Sequence, residues 1–99
     1  MDMIYYNVKQ AEQLGLAKEI IGNMIGKCSS ALYYESLTED EQKIIRQKIS
    51  EFTDERNSLH IDEPEALETT INKYGSLLKN GLVTVEYLLY GKTFKRKLA

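Results

Sequence analysis

Apolar residues recur with helical period in three stretches of this chain, and polar residues fill the intervening faces. The clearest stretch opens at Thr38. Ile45, Ile49 and Phe52 follow at i, i+4, i+7 with Ile44 beside them, while Lys43, Arg46, Glu51, Asp54 and Glu55 take the opposite side. This pattern predicts an amphipathic helix over 39–56 whose stripe must be covered by its neighbours. Thr38 and Glu41 have capping-box spacing, so each can satisfy an amide the other leaves free. Glu39 and Asp40 place negative charge at the positive end of the helix.

Upstream, Leu14, Ala17, Ile21, Met24, Cys28 and Ala31 recur at alternating spacings of three and four, widened by Ile20, Ile25 and Leu32. This is a packed seam on a helix over 9–35. Gly15, Gly22 and Gly26 interrupt it, each at a cost of about 1 kcal/mol against alanine inside a helix. Gly15 is a candidate break, ending a first short helix, with a second beginning near Leu16 or Ala17. Gly22 and Gly26 share a face one turn apart and suit close approach of another helix, from this chain or a second copy. Residues 3–8 read as a short strand or an extended lead-in. Downstream of a loop at 57–62, Leu67, Ile71, Tyr74 and Leu78 mark a third helix. It starts at Asp62 or Glu63 with Pro64 in its first turn and stops at Lys79-Asn80-Gly81.

The last eighteen residues fit two patterns. A hairpin turning at Gly91-Lys92 would pair Leu89 with Phe94 and Val85 with Leu98 on one face and Glu86 with Lys97 on the other. A fourth helix capped at Thr84 would place Leu88, Leu89 and Phe94 inside. The agreement of polarity across the pairs favours the hairpin. The expected fold is thus mainly α: one domain over 1–99, a small bundle of three principal helices, the first split or unsplit at Gly15, with a short C-terminal hairpin or fourth helix.

Composition narrows the setting. The chain has 99 residues, of which 42% are hydrophobic and 28% charged, as in a globular protein. No apolar run approaches the ~20 residues that span a bilayer, and the first residues lack the basic start and long apolar stretch of a secretory signal. Cys28 is the only cysteine, which excludes an internal disulfide and suits a reducing cytoplasm. Little proline, no tryptophan and abundant Ile, Lys and Glu suit a bacterial or phage source. The net charge of −2 conceals an asymmetry: residues 35–68 carry eleven acids against four bases, and residues 69–99 carry Glu86 against six bases. Opposite surfaces of that kind suit electrostatic attraction to a partner or head-to-tail self-association.

Candidate chemistry is sparse. His60 is the only histidine, and Cys28 is the only other soft metal ligand, so no metal or cofactor site is expected. Cys28 belongs to an apolar seam, which makes it an inert buried thiol rather than a nucleophile. The acidic pairs fall near helix ends, where capping and the dipole account for them. Gly91-Lys92-Thr93 lacks the earlier glycine of a phosphate-binding loop, since position 86 is Glu.

Ala11, Gly15 and Ile21, with Leu14, Leu16 and Met24, have the spacing and character of a helix-turn-helix, and residues 8–26 resemble that family. Gln10 departs from its pattern. The resemblance implies a dimeric DNA-binding regulator, with Lys18 and Asn23 reaching the groove. The basic residues Lys95, Arg96 and Lys97 offer a further nucleic-acid contact. The 8–26 segment has no cationic surplus for phosphate, so this reading ranks second.

Tyrosines point elsewhere. Tyr33 and Tyr34 are adjacent on one helix, as Tyr5 and Tyr6 are adjacent near the start, and neither pair fits entirely inside a core this small. Tyrosine is favoured at protein interfaces because a rigid ring buries area at little entropic cost. The expected function is therefore non-enzymatic: a small cytoplasmic regulator or inhibitor that covers a partner protein. Tyr5, Tyr6, Tyr33 and Tyr34 would supply the contact, Glu39 and Asp40 would orient it, and the acidic face would imitate nucleic acid. Gly22 and Gly26 would serve a homodimer.

Overall fold

The computed structural model describes residues 2–91, with side chains from Val8 onward. Four α-helices follow in order: α1 (Asp2–Tyr34), α2 (Glu39–Asn57), α3 (Pro64–Lys79) and α4 (Val85–Tyr90). No strand occurs among the described residues. α1 is the spine, and α2, α3 and α4 all pack against it. The four-residue connection 35–38 turns α2 back along α1. There Ile45 is fully buried and Phe52 nearly so.

Local signals set the helix ends as expected. Thr38 Oγ1 accepts the Glu41 amide at 3.1 Å, and Glu41 Oε1 accepts the Thr38 amide at 2.9 Å, which completes the capping box. Pro64 opens α3, whose cap residue Glu63 makes no side-chain hydrogen bond. At the other end of α3, Gly81 takes φ +65°, its amide reaches Leu78 O at 3.2 Å, and the Leu82 amide reaches Leu77 O at 2.9 Å. That pair of bonds is a Schellman motif, and it needs the left-handed residue that glycine supplies most cheaply.

The α1 seam packs as its spacing predicts: Ala17, Ile21, Met24, Cys28 and Ala31 are buried, and Ile20 joins them. α3 contributes Leu67, Thr70 and Tyr74. A methyl group added at Gly75 would sit 3.5 Å from Ile20 Cδ1, so α3 lies close to α1 at that level.

Three expectations are corrected. Residues 3–8 are not extended, because α1 already includes them. They contain no glycine or proline, and extending an existing helix costs far less than nucleating one. Second, α1 runs unbroken through Gly15. A glycine C-cap takes positive φ, and among the described residues only Gly81 and Gly91 do. The turn of a helix-turn-helix is therefore missing from 8–26. Third, Val85–Tyr90 is helix rather than the first strand of a hairpin. Thr84 Oγ1 accepts the Tyr87 amide at 3.2 Å, and Gly91 ends the helix at φ +69°, ψ +16°, the left-handed α region rather than a II′ turn. A hairpin would have needed a third strand or a packing surface, and residues 3–8 offer no strand. The helix instead buries Leu88 against α1 and α2. The proposed pairing partners Phe94 to Leu98 lie outside the described residues.

Candidate functional site

Helix α4 divides two clefts, and Leu88 lines both of them. The first lies between α4 and the end of α1. Ala31, Val83, Val85 and Leu88 give it an apolar floor, Tyr34 stands at its side, and Lys27 and Glu35 line it too. Beside it, Tyr33 and Tyr34 are 81% and 77% exposed. Their rings meet edge to face at 4.8 Å, so each braces the other although neither enters the core. Glu39 and Asp40 are exposed in the first turn of α2, five to seven residues further along the chain.

The second cleft lies between α2, α3 and α4. Phe52 and Tyr74 form one wall, edge to face at 5.7 Å, and Tyr87 and Leu88 form another. The Tyr74 hydroxyl donates to Glu55 Oε1 at 2.8 Å. Burial first, and then this hydrogen bond to the carboxylate, push the Tyr74 phenol well above its ordinary value. Burial also raises Tyr87, with the Glu55 charge adding to it. Lys48 Nζ lies 3.6 Å from Glu51 Oε1, and Lys73 Nζ stands 5.0 Å from the centre of the Tyr74 ring.

Other candidates are scattered. Gly22 is half-buried and Gly26 exposed, and a methyl group at either meets nothing within 4 Å. The close approach that they permit is thus not made by any described part of this chain. Lys18 is half-buried and Asn23 exposed on the outer side of α1. The side chains of Tyr5 and Tyr6 lie outside the described residues, as do Lys95, Arg96 and Lys97. Cys28 is fully buried, and its thiol is pushed up to about 11 by burial, with Lys48 pulling weakly the other way. His60 is exposed in the loop before α3.

No pattern in the sequence marks the second cleft. Its periodicity places Tyr74 in the core and Glu55 on the outer face, and no local pattern joins residues nineteen apart in the chain. Among the described residues there is no helix long and apolar enough to cross a membrane and no group of three metal-binding side chains. Every buried side-chain nitrogen and oxygen among them has a partner. The chain matches no protein-family model, no curated protein and no solved structure.

Proposed function

We propose that this protein acts without catalysis, by binding and covering a partner protein with the surface built from Tyr33, Tyr34 and the apolar cleft beside α4. The observation that carries this reading is the outward placement of both tyrosines, Tyr34 lining that cleft and Tyr33 stacked edge to face against Tyr34. Two large rings add nothing to the core from there, whereas aromatic residues beside an apolar depression are the usual anchors of a protein interface. Glu39 and Asp40, exposed nearby in sequence, orient the approach of a basic partner surface. A partner that normally binds nucleic acid fits this charge.

The test is affinity capture from the native host's lysate, with the parent chain and a Tyr33→Ser/Tyr34→Ser variant compared by quantitative mass spectrometry. Both substituted residues are exposed, so melting stays unchanged while the specific partner is lost from the variant. An identical capture profile for the two chains refutes the surface. Charge reversal at Glu39 and Asp40 slows association, and the parent's own rate falls with added salt. A salt-insensitive rate removes the imitation of nucleic acid and leaves the tyrosine contact standing.

A further inference from the structure

The second cleft has a chemistry of its own. Its volume is about 190 Å³, room for about six waters at liquid density, or for the head and part of the stem of a long side chain. Its two lysines are already engaged, Lys48 beside Glu51 and Lys73 over the Tyr74 ring. Glu55 is different. It is half-buried, its Oε1 receives the Tyr74 hydroxyl, and Oε2 receives no hydrogen bond among the described residues. A partly desolvated carboxylate between aromatic rings favours a cation. The carboxylate accepts charge-assisted hydrogen bonds, and ring faces attract positive charge. The ammonium of Lys73 over Tyr74 shows that ring face already serving a cation at the rim.

We propose that this cleft binds the guanidinium or ammonium group of a basic peptide side chain, held on Glu55 and flanked by Tyr74 and Tyr87. Two sources present that chemistry. One is a basic segment of another protein. The other is this chain itself, because Gly91 lines the cleft and Lys92, Lys95, Arg96 and Lys97 follow it in sequence. The inference does not depend on the Tyr33–Tyr34 surface, and the two can fail separately.

The experiment titrates the full chain with N-acetyl-arginine amide at constant ionic strength while the aromatic ring signals of Tyr74 and Tyr87 are followed by NMR. N-acetyl-leucine amide is the uncharged control. A saturable shift of both tyrosines with the arginine probe alone, weakened about tenfold or more in Glu55→Gln, supports the site. Glutamine still accepts the Tyr74 hydroxyl. Should that variant melt early, Tyr87→Leu is read instead, since it removes a ring at the surface of the cleft and lowers affinity for the same probe. The variant with Lys92, Lys95, Arg96 and Lys97 all changed to Gln separates the sources. If the chain's own segment is the occupant, the tyrosine signals move on this substitution alone and the probe then binds more tightly. If the source is external, the signals stay in place and probe affinity is unchanged. The Tyr33→Ser/Tyr34→Ser variant binds the probe as the parent does. The site is overturned if neither probe nor tail substitution moves the rings, if the leucine control moves them equally, or if Glu55→Gln binds the probe undiminished.

Discussion

Ile45 is fully enclosed between α2 and the α1 seam. Its truncation to alanine leaves a hole that neighbouring helices fill only in part, and is expected to cost about 2–5 kcal/mol in urea unfolding. Thr38→Ala removes half of the capping box and costs about 1 kcal/mol in the same assay. Titration acts on the same core. The Cys28 thiol rises from 9.0 to about 11 on folding, so the folded state holds its proton more tightly than the unfolded state. Stability from this source is complete below pH 9 and is lost as pH rises from about 9 to about 11. Tyr74, raised from an ordinary value of 10.0, adds to the loss above pH 10. Melting temperature is therefore expected to fall on the alkaline side. Cys28→Ala, whatever it costs in packing, shows a shallower fall between pH 9 and 11 than the parent.

At the level of the element, α1 is the informative case. Proline at position 15 separates a continuous helix from a broken one. In a continuous helix Gly15→Pro removes a backbone hydrogen bond and clashes with the preceding turn, costing about 3 kcal/mol or more, whereas a turn would tolerate it. The expected outcome is the full cost, read by circular dichroism and thermal melting. Gly22→Ala and Gly26→Ala have the opposite sign. A methyl group at either meets open space, so each is expected to stabilise the folded chain by up to about 1 kcal/mol. Sedimentation of the same variants tests self-association, since a dimer packed through these glycines would dissociate on substitution. Gly91 is held at φ +69°, where alanine costs about 1–2 kcal/mol, and Gly91→Ala is expected to loosen α4.

The whole molecule is elongated, 54 × 34 × 18 Å with a radius of gyration of 15.8 Å. A compact chain of this size has about 13 Å. α1 explains the difference. Its 33 residues run about 50 Å, while among its described side chains, from Val8 onward, the buried positions extend from Ala17 to Ala31, about 21 Å. Val8 and Leu16, 52% and 45% exposed, lie before or at the edge of that zone. Hydrogen exchange is expected to show strong protection over 17–31 and weaker protection over 8–13, where few apolar contacts resist opening. Uniform protection along α1 would mean that something else covers its first half.

Chain-local information settled a definite part of this protein. The capping box at Thr38 and Glu41, proline at the head of α3, the glycine stop after Lys79 and the core faces of α1, α2 and α3 all depend on residues within a few positions of one another. Period and capping chemistry express such relations directly. The tertiary structure decided what depends on distant neighbours. Thr84 to Gly91 carries signals for both hairpin and helix, and the helical state of residues 3–8, which leaves no strand there to pair with, together with the surface that α1 and α2 offer Leu88, selects the helix. Gly15 carries a stop signal that the packed seam beyond it overrides. The placement of Glu55 against Tyr74, and of Tyr34 beside Val83 and Val85, comes from helices meeting in space although these residues lie far apart in the chain. No periodic pattern encodes which outward residue of one helix will face which residue of another.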